Sequence, residues 1–547
     1  MGKRRRQLNV TYNEALAIMR EIRPAKHPDI ASILNNLGAS YCLNAETKKA
    51  IEYYNEALAI MKGILPAKHP DIASNLNNLG AAYSDNGETK KAIEYYAEAL
   101  TMRREILPAN HPDIASNLNN LGIAYSDNGE TKKAIEYYTE ALAIRRAILQ
   151  SKHPDIASNL DNLGGAYIAN GETQKAIEYF REALAIRREF LTGKQQDIAG
   201  NLNNLGAAYS ENGEPNRALE YYNEALVIRR EILPRSHSDI ASSLNNIGNE
   251  YIRNGETQKA IQYYTEALGI MREILPAKHP KIATNLNNLG AAYRENGDPK
   301  KALDYFHEAL SISRENLPGK HPDIASTLNN IGNAYSDTGE TRKAIEYYNE
   351  ALAIRREILP GKHPDIASNL NNLGNAYQDN GKTKRAIEYY QEALAIRREI
   401  LPAKHPNIAT NLNNLGNAYH ANKEPKKAIE ILIEALAIQR EILPPNHPHL
   451  ASTLNNLGTA YCHIGDALKA IEYLQEALAI QKDSLPALHP HIASSNFNLG
   501  QIFRALGQTQ KALEYLTFAY SIQLNSLPST HVDIQKTEAA LASLHLP

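Results

Sequence analysis

The sequence predicts an all-α solenoid of stacked helix-turn-helix hairpins, and three observations carry that prediction. A histidine-led punctuation recurs every 42 residues, at His27, His69, His111, His153, His237, His279, His321, His363, His405, His447, His489 and His531, with Gln195 breaking the series. Within each period the apolar residues fall three or four apart, the spacing of one helical stripe. Turn residues interrupt each period twice, which gives two helices. Self-similarity at a fixed period of about 20 to 50 residues marks an architecture in which each unit buries its apolar face only against its neighbours. A single compact core stops growing near about 250 to 300 residues. This chain has 547 and no linker, so a core extended in one dimension resolves the conflict. Catalytic chemistry rarely repeats a dozen times, and the pattern predicts a binding surface, not an enzyme.

The unit that begins at His69 shows how each element arises. Ile72, Leu76, Leu79 and Tyr83 form the apolar stripe of a first helix. Pro70 is tolerated in its first turn, where the missing N–H has no helical partner, and Asp71 places negative charge where the helix dipole favours it. His69 then falls in the cap. Asn86-Gly87 ends the helix, because glycine accepts the left-handed conformation of such a stop. Glu88 and Thr89 open a second helix with Ala92, Ile93, Tyr96, Ala99, Leu100 and Ile106 on its apolar side. Leu107-Pro108 closes it, since proline breaks the ladder and restricts the residue before it. Gly80 recurs mid-helix in every unit, although glycine there costs about 1 kcal/mol against alanine. Close approach of the partner helix is the expected reason, with Ala92 and Ala99 as its shallow surface and Tyr83 and Tyr96 filling the gaps between hairpins.

Leu79-Gly80, Tyr83, Ala92, Tyr96 and Ala99, at these offsets, resemble the tetratricopeptide repeat signature, with Leu76 where that family often places tryptophan and Pro108 four residues later than its usual proline. The 42-residue unit, the His-Pro-Asp-Ile-Ala opening and the Leu-Asn-Asn-Leu-Gly core resemble the repeats of kinesin light chains and similar arrays, from about Val10 to Leu546. The resemblance implies a right-handed superhelix of hairpins whose first helices line a concave peptide-binding groove. Kinesin light chains carry a heptad coiled coil before their repeats. Nothing in this chain reads as one, so a motor-subunit role is not implied.

In order along the chain, residues 1–9 read as a polar tail and 10–26 as a partial repeat, a second helix alone in which Tyr12, Ala15 and Ile18 match Tyr96, Ala99 and Met102. Twelve full units fill 27–530, and 531–547 reads as a capping first helix with Gln535, Lys536, Glu538 and Ser543 on a polar side. Pro215, Pro299 and Pro425 open second helices, where proline is harmless. Leu432, Leu474 and Leu516 replace the tyrosine equivalent to Tyr96 in the last three units.

Composition excludes several classes of function. Charge is balanced at -2, with 59 basic and 61 acidic residues interleaved along the second helices, so no face carries the clustered Lys and Arg that nucleic acid requires. The run Lys3-Arg4-Arg5-Arg6 reads either as a solvated tail or as a targeting patch. No apolar run approaches the ~20 residues that span a bilayer, so a cytoplasmic, membrane-free protein is expected. Cys42 and Cys462 occupy the same place in units ten apart and are expected as free thiols. Successive histidines stand a whole hairpin apart and share no metal site. No cofactor is expected.

The sharpest candidate site is a row of asparagines. Asn36, Asn78, Asn120, Asn162, Asn204, Asn246, Asn288, Asn330, Asn372, Asn414, Asn456 and Asn498 fill one position in every full unit, and the residue before each is also asparagine except at Asp161 and Phe497. Asparagine is a poor helix-interior residue because its amide competes for backbone hydrogen bonds. Two readings stand: an amide bonded to a neighbouring helix, or a ladder of amides that offers donor and acceptor to an extended peptide. The resemblance favours the second, and one asparagine of each pair suits each task. One turn further on, at the position that is Ala81 in the unit from His69 and Ile123 and Gln501 in others, stand the variants Asn249, Asn333, Asn375 and Asn417. With Arg294, Gln378 and His420 after them, they are the expected specificity positions. The expected function is a non-enzymatic scaffold or adaptor that binds extended segments of partner proteins in its concave groove as a monomer. The alternatives are a structural solenoid that stacks head to tail, and the sensor part of a larger signalling protein.

Overall fold

The computed structural model describes residues 2–190, 195–527 and 531–544, with the side chains of residues 2–8 and 190 left outside the description. Among the described residues every element is an α-helix and no strand forms. First helices such as Pro70–Asp85 alternate with second helices such as Thr89–Ile106. The chain divides into two compact units, Met1–Ile274 and Leu275–Pro547. Within each unit a hairpin packs on the next, and one continuous apolar cluster runs from Leu16 to Ile144. Ile72, Leu76 and Leu79, the predicted stripe, are wholly buried.

Caps and stops follow the sequence closely. His69 is extended, and its Nδ1 accepts a hydrogen bond from the backbone N–H of Asp71 at 3.2 Å, with Pro70 at the first helical position. The other histidines of the series cap in the same way, for example His363 toward Asp365 at 3.1 Å. Gly87 closes the first helix at φ +77°, its N–H donating to the Ser84 carbonyl at 2.9 Å. Two units place a residue with a Cβ at this left-handed position, Ala45 at φ 59° and Lys423 at φ 65°. Lys423→Gly is therefore expected to stabilise the protein by about 1 kcal/mol, read as a raised urea midpoint at unchanged slope.

The glycine row has a different cause from the one expected. A Cβ on Gly80 would lie 2.7 Å from the ring of Tyr96 in the same hairpin. Phe180 stands in that relation to Gly164, and Leu432 to Gly416. Tyr96 therefore closes its own hairpin instead of a gap between hairpins, and the glycine is the floor on which the ring rests. Tyr83 also acts within its hairpin, stacked on Tyr95 with ring centroids 5.2 Å apart and Lys91 Nζ 5.1 Å above its face.

The N-terminal helix runs from Gly2 to Ile22 and so continues through residues read from sequence as a tail. No proline interrupts that stretch, and its Lys, Arg, Gln and Leu are good helix formers. The Lys3–Arg6 side chains lie outside the described residues. The C-terminal helix covers Val532–Ala542, and residues 528–530 and 545–547 lie outside the described residues. Cys42 is half-buried, Cys462 is exposed, and both are free. No described helix is long and apolar enough to cross a membrane.

Candidate functional site

First helices of successive hairpins touch directly where Pro70–Asp85 meets Pro112–Asp127 and where Pro364–Asp379 meets Pro406–Ala421. The asparagine row lies along these contacts. It is half-buried in most units and exposed at Asn36 and Asn204. The two asparagines of each pair divide the work between them. Asn78 donates through Nδ2 to Oδ1 of Asn35 in the preceding unit at 3.3 Å, and Asn162 donates to Asn119 at 3.1 Å. The same bond joins Asn120 to Asn77, Asn246 to Asn203, Asn330 to Asn287, Asn372 to Asn329, Asn414 to Asn371, Asn456 to Asn413 and Asn498 to Asn455. Each such neutral bond contributes about 0.5 to 1.5 kcal/mol net.

The ladder thus commits one row donor to the preceding unit, whereas the sequence left both donor and acceptor open to a guest. An amide has two N–H groups and a carbonyl oxygen. Among the described residues no hydrogen bond ends on a row Oδ1, so that oxygen is the group the row offers along this side.

A third, deeper asparagine was missed. Asn75, Asn159 and Asn411 are buried and donate to Asn35, Asn119 and Asn371, the same oxygens that the row uses. Asn117 and Asn369 instead donate to the backbone carbonyls of Tyr96 and Tyr348 at 3.1 and 3.2 Å. The signal was present in the sequence, as a polar residue recurring three before the row on the packed side.

The specificity positions are partly engaged from within. Tyr264, Tyr348 and Tyr390 reach across their hairpins, past the glycine, and donate their hydroxyls to Oδ1 of Asn249, Asn333 and Asn375 at 2.6, 2.7 and 2.6 Å. Burial raises the pKa of the Tyr348 and Tyr390 hydroxyls, so they remain donors. Gln378 also accepts from Tyr390 at 3.3 Å. Asn333 and Asn375 accept from the row residues Asn372 and Asn414, which doubles the ladder in these units. Asn417 is exposed, and its unit has Leu432 in place of the tyrosine, so it has no such strut. Arg294 pairs with Asp337 at 2.7 Å. His420 meets His463 ring nitrogen to ring nitrogen at 2.8 Å, and burial lowers the pKa of His420, with the His463 charge adding to the effect.

Sequence reasoning also missed a buried arginine at the end of second helices. Arg103, Arg229 and Arg355 donate Nη1 to the backbone carbonyls of Asp113, Asp239 and Asp365 at the start of the next first helix, each at 3.1 Å. Burial lowers their pKa. Arg187 instead pairs with Asp161, the one acidic exception beside the row. Among the described residues no group of three or more His, Cys, Asp or Glu is placed to hold a metal ion.

Hairpins of this kind, stacked with a polar row along their first helices, define a helical repeat protein of the solenoid class. Profiles described as tetratricopeptide repeat match residues 11–63, 71–147, 113–189, 197–273, 281–357, 365–441, 407–483 and 449–525, and a second profile of that description matches 329–399. The chain belongs to the tetratricopeptide repeat family. It is similar to the nearly identical TPR-like repeats of a putative kinesin light chain from Podosopora anserina, at 28% identity over 38% of this chain and 98% of that one, with a TM-score of 0.34. BtubC (BKLC) from P. vanneervenii is 24% identical over 42% of this chain and 92% of its own, with a TM-score of 0.38. The APC/C hetero-tetramer Cut9-Hcn1 provides a chain 15% identical over 94% of this one and 96% of its own, with a TM-score of 0.43. Among curated proteins nothing matches the chain.

Proposed function

We propose that this protein is a non-enzymatic scaffold that binds extended segments of partner proteins along the first helices of each unit. Membership of the tetratricopeptide repeat family supports a protein-interaction scaffold in general terms. The observation that supports the finer reading is the division of labour on one helix side. The packing residues barely vary between units, the row presents a uniform series of carbonyl oxygens, and the residues that differ from unit to unit, Asn375, Gln378, Asn417 and His420 among them, lie beside it. Uniform amides suit the regular backbone of an extended chain, and the variable positions select among side chains. A photo-crosslinking residue at Asn375 or Asn417 is expected to capture a bound partner, while the same residue at the exposed Glu388 of a second helix is not. Capture from Glu388 alone would defeat this reading.

A further inference from the structure

The corners between first and second helices contain a chemical exception. Asn86, Asn128, Asn170 and Asn212 each precede a glycine, and each donates its side-chain amide to the glutamate two residues on, Glu88, Glu130, Glu172 and Glu214, at 2.6 to 2.7 Å. The Asn380-Gly381 corner has the same backbone. Its asparagine lies at φ -80°, ψ 8°, and the Gly381 N–H donates to the Gln378 carbonyl at 2.9 Å. The residue two further on is Lys382, and among the described residues no carboxylate holds the Asn380 amide. Lys382, Lys384 and Arg385 line one open cavity of about 320 Å3 with Gly381 and Asn422, and of these cations Lys382 is the one that stands where the sibling corners carry a glutamate.

We propose that Asn380 is a site of spontaneous deamidation, with water as the co-reactant. Once the corner opens and the Gly381 N–H lets go of the Gln378 carbonyl, the nitrogen gives up its proton to solvent and attacks Cγ of Asn380. The N–Cγ bond forms, the Cγ–Nδ2 bond breaks, and the side-chain nitrogen takes up a proton from water and leaves as ammonia. One water then opens the succinimide at either carbonyl, which leaves aspartate or isoaspartate at position 380. Three features of this corner favour the reaction. Glycine offers no side chain to block the ring closure, the unheld amide is free to turn toward the attacking nitrogen, and the neighbouring cations stabilise the negative charge that develops there and persists in the product. In the sibling corners the carboxylate pins the amide and opposes that charge. Loss of one charge-assisted hydrogen bond sets the scale of the difference at about tenfold in rate.

The test is to age the full-length protein in warm, mildly alkaline buffer and follow each corner by peptide mass spectrometry, reading the gain of about 1 Da that converts amide to acid. Asn380 is expected to convert about tenfold faster than Asn128, Lys382→Glu to bring it down to its siblings' rate, and Glu130→Lys to raise the rate at Asn128. Equal rates at Asn380 and Asn128, or a rate at Asn380 that Lys382→Glu leaves unchanged, would overturn the proposal.

Discussion

Gly164→Ala destabilises the protein and Gly165→Ala, one residue along the same helix, stabilises it. Intrinsic helix propensity favours both changes by about 1 kcal/mol. At Gly165 a Cβ meets nothing within 4 Å, so the gain is realised. At Gly164 the new Cβ would lie 2.7 Å from Cε1 of Phe180, whose ring is 3% exposed. Overpacking of this kind costs about 1 to 3 kcal/mol, and a buried aromatic ring puts the cost at the upper end. The net expectation is a loss of about 1 to 2 kcal/mol at Gly164 against a gain of about 1 kcal/mol at Gly165. Urea unfolding of the two single variants separates the signs, and Phe180→Leu in the Gly164→Ala background is expected to recover only part of the loss, since a Leu side chain also sits on the glycine floor at Gly416.

Asp161→Ala is expected to cost about 3 to 5 kcal/mol, the scale of a buried ion pair stripped of one partner. The Arg187 and Asp161 side chains are 9% and 17% exposed, and Asp161 also accepts from Asn201 at 2.5 Å. Burial pushes the Asp161 carboxyl up, and Arg187 opposes that shift. Removing the carboxylate leaves a buried guanidinium and a buried amide without their acceptor. The double change Asp161→Asn with Arg187→Gln installs the residue types that a later unit carries at these positions, Asn455 and Gln481, and is expected to recover most of the stability. If Asp161→Ala and the double variant unfold at the same urea concentration, the pair does not carry the energy assigned to it.

The hairpins, their boundaries and their apolar stripes were legible because a 3.6-residue period and the His-Pro, Asn-Gly and Leu-Pro stops act locally, within one unit. Contacts between helices were less so. The glycine row announced that something came close, but its spacing cannot distinguish an alanine surface from a tyrosine ring sixteen residues on, as at Gly80 and Tyr96. The sequence assigns one asparagine of each pair to packing and one to the groove, whereas the bond from Asn78 to Asn35 engages both kinds. That Asn75 shares the same oxygen depends on how one unit registers on the next, and that Tyr390 crosses its hairpin to reach Asn375 depends on how two helices register, neither of which the spacing along one helix contains.

The most direct test of the proposed scaffold is partner retention by a triple Asn330→Ala, Asn372→Ala, Asn414→Ala variant beside the unmodified protein and a control with three exposed second-helix residues changed. Each row substitution removes about 0.5 to 1.5 kcal/mol of ladder bonding, so helical content by circular dichroism must first be shown to match. The expected result is a fold that persists while the partner is lost from the triple variant and kept by the control. A partner held equally by all three proteins would contradict the role given to the first-helix side.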